Sequence, residues 1–217
     1  MPVRAIAFDF NGTLSDDEAV LCEIFVELFA EHGRPLSAQE YFDHLAGHSD
    51  PEIVMRWLGR DHPDVQAVID ERIRRYRAAV SDGHSIHGPV RDAVRYAAER
   101  VPVAIVSGAM RAEIEPVVTA AGLAPLFRGI VAADDVVHGK PHPEGYLKAL
   151  ALLGAVPAGD VLVIEDTEAG IAAAEAAGMR VIAVPNASFP PDPEALAAAD
   201  VVLGSIDELT ARVVDTG

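Results

Sequence analysis

The chain has 217 residues, 50% of them hydrophobic and 24% charged, enough to bury a real core and to exclude a disordered chain. Seventeen Lys and Arg against 34 Asp and Glu leave a formal net charge of −17, which repels nucleic-acid backbones and anionic lipid surfaces and excludes both as general partners. The single cysteine, Cys22, excludes an intramolecular disulfide and a Cys-rich metal site, and reads as a small buried helix residue. No apolar run approaches the ~18 residues that span a bilayer, and no charged-then-apolar leader opens the sequence, so the expectation is a soluble cytoplasmic protein.

In chain order, residues 3–10 form a short apolar run ending in a glycine turn, which suits a strand buried on both faces of a parallel sheet. Next, Leu21, Ile24, Phe25, Leu28 and Phe29 follow helical spacing, with Gly33 as the stop and Ser15 and Glu18 at capping-box spacing before them. Shorter helical pieces are expected at 37–46 and 51–58, where Met55 and Trp57 read as packing residues. Val65, Val68, Ile69, Ile73, Tyr76 and Val80 mark a second long helix. No strand pattern occurs between 15 and 87, and His87-Gly88-Pro89 marks the return to the sheet. Beyond it, strand-like runs at 101–106, 130–133, 161–164, 181–184 and 201–203 alternate with helical stretches at 111–121, 143–153 and 168–177. Phe189-Pro190-Pro191-Asp192-Pro193 reads as a rigid loop. The expected fold is α/β, a Rossmann-like parallel sheet core at 1–14 and 88–217, interrupted by a four-helix insert at 15–87.

Four polar clusters follow predicted strands, at the carboxyl edge where open α/β sheets bind ligands. They are Asp9-Phe10-Asn11-Gly12-Thr13, Ser107-Gly108, Lys140-Pro141-His142-Pro143, and Glu165-Asp166-Thr167-Glu168-Ala169-Gly170. Carboxylate oxygens suit a hard cation such as Mg²⁺, which uses one or two carboxylates together with phosphate oxygens of a substrate. A lysine, a hydroxyl and the N–H groups at helix starts suit the phosphate. Thr13 is equally well a simple turn cap. The eight histidines read mostly as surface or packing residues. His44 and His48 stand four apart, but Gly47 breaks the helix that a metal pair would need.

The order of these clusters resembles the haloacid dehalogenase superfamily of phosphotransferases. Asp9-Phe10-Asn11-Gly12-Thr13-Leu14 is similar to its first motif, normally Asp-x-Asp-Gly-Thr. Ile105-Val106-Ser107-Gly108 is similar to the second, Lys140-Pro141-His142-Pro143 to the third, and 164–171 to the fourth. The helical insert resembles the cap of the β-phosphoglucomutase and phosphonatase-like branch. The resemblance implies that Asp9 is a nucleophile forming an aspartyl-phosphate. Asp9, Glu165, Asp166 and the carbonyl of Asn11 would hold Mg²⁺, while Ser107, Gly108 and Lys140 would bind the phosphoryl group. The substrate would be a small phosphorylated metabolite. His48, Ser49 and Arg56, around a glycine-containing turn of the insert, are candidates for choosing it.

One departure bears on turnover. The family's second aspartate, its general acid/base, is Asn11 here. An amide donates a hydrogen bond but does not trade a proton at neutral pH, and loss of such help costs ~10²–10⁴ in rate. The first reading is a Mg²⁺-dependent phosphatase whose turnover Asn11 puts in doubt, the second a phospho-ligand binder that kept the site, and the third, disfavoured, a phosphosugar mutase. Phosphonatase chemistry needs a cap lysine, and residues 15–87 contain none. Mutases of this type carry a histidine about one helical turn after Asp16-Asp17, and Ala19-Val20-Leu21-Cys22 has none. A dehalogenase needs no metal and would not need Glu165-Asp166.

Overall fold

The computed structural model describes residues 2–184, 193–204 and 208. Six parallel strands form one sheet in the order β3-β2-β1-β4-β5-β6. They are β1 (Ala5–Phe8), β2 (Val103–Val106), β3 (Phe127–Val131), β4 (Val161–Glu165), β5 (Arg180–Ala183) and β6 (Val201–Val202). The runs of β1, β2 and β4 are apolar on both faces because both faces are covered. On one face Ala5, Ala7, Ala104, Val106 and Val163 pack with Tyr146, Ala149, Ile171 and Ala173. The alternate residues Ile6, Phe8, Ile105, Leu162 and Ile164 are equally buried.

The helices around this sheet are α5 (Gly88–Ala98), α6 (Arg111–Ala120), α7 (Glu144–Leu152), α8 (Glu168–Ala176) and α9 (Pro193–Ala198). The sequence pattern had assigned neither α5 nor α9. In α5, Val90, Ala93, Val94 and Ala97 are buried at helical spacing, with Pro89 in the first turn. The strand expected at 130–133 lies earlier, at Phe127–Val131. Of the rigid loop expected at 189–193, only Pro193 lies among the described residues, and it opens α9.

Contacts divide the chain into two units, residues 1–16 with 82–217, and Asp17–Ser81. The second unit holds α1 (Glu18–Glu31), α2 (Ala38–His44), α3 (Asp50–Leu58) and α4 (Val65–Val80). Within it, α4 packs on α1 and α3, and α1 on α2. Its core is a run of rings: Phe25 stacks on Tyr41 at 5.9 Å, and Phe29 on Trp57 at 6.3 Å. Cys22 is buried there. Ser37 and Glu40 form a capping box on α2.

Two local expectations are corrected. The Ser15–Glu18 capping box does not form. The N-cap of α1 is Asp17, the Ser15 hydroxyl donates to Ser85 Oγ at 2.8 Å, and Glu18 accepts from the Tyr41 hydroxyl at 2.7 Å. The return to the sheet unit comes at 82 rather than 88. Gly83, at φ +74°, lies against the backbone of 117–121, where a Cβ would stand 2.7 Å from the Ala121 nitrogen. Arg91 donates to the carbonyls of Gly83 and Ile86, and Asp16 N–H donates to the Ser85 carbonyl at 2.9 Å. These bonds tie the returning segment to the sheet unit.

Candidate active site

The chain order sends β1 to β2 on one side and places β4 on the other, so the crevice at the strand ends opens beside β1. Phe8 stands level with Ile164 and with Ile105. This register brings Asp9, Ser107 and Glu165-Asp166 to one rim. The ladder continues one step further, because Asp9 N–H donates to the Ile164 carbonyl at 2.9 Å.

Asp9, Glu165 and Asp166 are all buried, and their nearest carboxylate oxygens lie within 4.8 Å of one another. Lys140 joins them. Its Nζ is 2.5 Å from Asp9 Oδ1 and is also paired with Glu165 Oε1. The other oxygen of Glu165 accepts from the backbone N–H groups of Asp166 and Thr167, each at 2.9 Å, and from the Thr167 hydroxyl at 3.0 Å. Thr167 in turn accepts from Gly170 N–H and caps α8. Gly170 has no substitute, because a Cβ there would overlap the Glu165 carboxylate.

The first and fourth motifs are joined directly. Thr13 Oγ1 donates to Asp166 Oδ1 at 3.0 Å, a contact that the sequence pattern left undecided against a turn cap. Gly12, at φ +74°, approaches so closely that a Cβ would overlap the Asp166 carboxylate. Asn11 is half-buried and bridges to Ser15 through the backbone. Ser107 is buried at the end of β2, and its Oγ accepts from Ala109 N–H at 3.0 Å, while Gly108 is exposed.

Charge in this pocket is unbalanced. Burial, with a contribution from Glu165 and against the pull of Lys140, pushes Asp9 up to about 7. Burial and the charges of Glu165 and Asp9 hold Asp166 well above the usual carboxylate range. Burial alone would lower Lys140, but Asp9 and Glu165 more than offset it and hold its ammonium charged. Three carboxylates facing one ammonium, with hard oxygen donors converging, fit a small divalent cation that would supply the remaining positive charge.

In the helical unit, His48, Ser49 and Arg56 are exposed. The Ser49 hydroxyl donates to the Glu52 carboxylate at 2.9 Å, part of the N-terminal capping of α3. Among the described residues, no helix is long and apolar enough to cross a membrane. Site features that the sequence motifs did not single out are Tyr146, whose hydroxyl lies 3.2 Å from Glu165 Oε1, and the structural use of Thr167. Tyr146 sits on α7 with core spacing, so its pattern is that of any packing residue.

The profile of the family described as haloacid dehalogenase-like hydrolase matches residues 6–184. Hexitol phosphatase B of Escherichia coli (strain K12) is 31% identical over 214 residues, covering 97% of this chain and 96% of that protein. Validoxylamine A 7'-phosphate phosphatase of Streptomyces hygroscopicus subsp. limoneus is 30% identical, covering 95% of each. Among solved structures, an Asp-to-Asn variant of CbbY from Rhodobacter sphaeroides in complex with xylulose-(1,5)bisphosphate superposes with a TM-score of 0.83 at 28% identity, covering 95% of this chain and 96% of that one.

Proposed function

The chain belongs to the haloacid dehalogenase-like hydrolase family, and from that premise we propose that it is a phosphatase of a small phosphorylated metabolite working through an aspartyl-phosphate on Asp9. The observation that carries this reading is the buried Asp9 carboxylate at the end of β1, gathered with Lys140, Glu165 and Asp166 on one rim. The phosphatases among its relatives support it, and the substrate class comes from them. Hexitol phosphate, phosphoglycolate and other small phosphate esters all lie within that class.

Asp9 attacks phosphorus, forming the Oδ–P bond as the bond to the leaving oxygen breaks. Lys140 and the Ser107-Gly108 turn bind the phosphoryl oxygens and place the group in line with Asp9. Asp9, Glu165 and Asp166, with the backbone carbonyl of Asn11, would hold Mg²⁺. Once bound, that ion supplies charge neutralisation for phosphoryl oxygens and carboxylates alike. Water then attacks the phosphoryl group, releasing inorganic phosphate and regenerating Asp9. Thr13 holds Asp166 in place throughout. His48, Ser49 and Arg56 are candidates for choosing the substrate; all three are exposed, and Ser49 takes part in capping α3.

Asn11 favours a second reading, a phospho-ligand binder that kept the cradle and lost proton transfer. Steady-state phosphate release from an aryl phosphate with Mg²⁺ separates the two. The phosphatase reading expects turnover by the wild type and none by Asp9→Asn, with no beryllofluoride complex in that variant. Labelled enzyme that survives Asp9→Asn would move the nucleophile to another carboxylate.

A further inference from the structure

Tyr146 is fully buried in the core of the sheet unit, yet its hydroxyl leaves that core to meet Glu165. It donates to Oε1 at 3.2 Å, the oxygen that also pairs with Lys140. The ring lies under the same ammonium, with Lys140 Nζ 5.4 Å from its centroid. The opposite oxygen of Glu165 is held by the backbone N–H groups of Asp166 and Thr167 and by the Thr167 hydroxyl, so the carboxylate cannot turn. Lysine is a point charge on a flexible four-carbon stem, and placing it at a reacting group requires restraint. Here the restraint comes from three sides: the aromatic face, Glu165 Oε1 and Asp9 Oδ1. Of these three, Asp9 is the one whose charge changes when it attacks phosphorus, while the ring and Glu165 are unaltered by the reaction.

We infer that Tyr146 is a positioning residue for phosphoryl binding: it locks Glu165 Oε1 and, through that oxygen and its own ring face, holds the Lys140 ammonium where phosphoryl oxygens bind. The inference rests on the phosphatase reading of the site, in which Lys140 meets the phosphoryl group. A phenol is suited to this role because it combines an apolar body that the core accepts with one donor at its tip.

The test is Tyr146→Phe, which keeps the ring and removes the donor. Inorganic phosphate is the probe, titrated calorimetrically into the protein at a fixed saturating Mg²⁺ concentration, with thermal melting to show that each variant is folded at the assay temperature. A hydrogen bond to a charged group is worth enough that its loss weakens phosphate binding about 5–50-fold. Acting through Lys140, the change adds nothing in the Lys140→Met background, where phosphate binding is already weakened. A purely structural role would instead lower the melting temperature equally in both backgrounds and leave phosphate affinity untouched. Folded Tyr146→Phe that binds phosphate as the wild type does overturns this inference alone, as does a further loss of the same size in Lys140→Met. A wild type that binds no phosphate overturns the reading of the site and this inference with it.

Discussion

At the scale of single residues, Asn11 is where the chain departs from the family's first motif, Asp-x-Asp-Gly-Thr. Its cost depends on the leaving group. On the phosphatase reading, an aryl or acyl phosphate leaves without protonation, so it would still phosphorylate Asp9. An alkyl phosphate needs a proton as the bond breaks, and hydrolysis of phospho-Asp9 needs an activated water. Asn11→Asp is therefore expected to raise alkyl-phosphate turnover by ~10²–10⁴ and the aryl-phosphate capture step far less. Single-turnover kinetics on both substrate classes measures this, and equal gains on both would place proton transfer elsewhere. Asn11-Gly12 is a deamidation-prone pair, so peptide mapping must show that the wild-type sample carries no Asp form. Asn11 was legible from sequence because it breaks a motif at a numbered position. Tyr146 was not, because its meaning comes from the 3.2 Å approach to a carboxylate nineteen residues away.

At the scale of elements, the first turn of α1 carries a buried carboxylate. Burial, with added repulsion from Asp17 and Asp50, pushes Glu18 up to about 7, against the Tyr41 hydrogen bond and the Arg72 charge that pull it down. In the unfolded chain the group titrates near 4.5. Between those two values the folded state holds more protons than the unfolded one, so stability falls as pH rises through that window. Above about pH 7 the full penalty is present, at most about 3 kcal/mol. Glu18→Gln keeps an oxygen for the Tyr41 hydroxyl and removes the charge. It is expected to be more stable than the wild type at pH 8 by about 1–3 kcal/mol, with the gap closing towards pH 5. Urea unfolding at both pH values measures the gap, and a pH-independent gap would refute the assignment. The spacing of Ser15 and Glu18 is that of a capping box at a helix start. Spacing carries no knowledge of Ser85 and Tyr41, which take those two side chains instead.

For the whole molecule, the site joins motifs from both ends of the sheet unit, so its occupancy reports on the fold. Mg²⁺ that binds the folded state alone should raise the melting temperature, because it stabilises that state by an amount that grows with the logarithm of its concentration over its dissociation constant, about 2.7 kcal/mol at a hundredfold excess. Asp166→Ala should remove that shift, and a full Mg²⁺-dependent shift in this variant would refute the metal assignment. By itself the sequence determined the class of the fold: apolar runs of strand length alternating with helical periods dictate a covered parallel sheet, and a stretch of helical pieces with no strand pattern marks the insert. It also determined which polar clusters would stand at strand ends, because the residue after a buried strand must emerge at the rim. Only the tertiary structure decided what those clusters do to one another. The register of β1 beside β4 brings Thr13 to Asp166 across 153 positions of chain, and the segment between β3 and α7 brings Lys140 to Asp9 across 131. It also decided the return at 82, since Gly83 has its meaning only against the backbone of 117–121. Local pattern reports what a residue prefers. Pairing over such distances is set by how the strands stack, and no local window contains that.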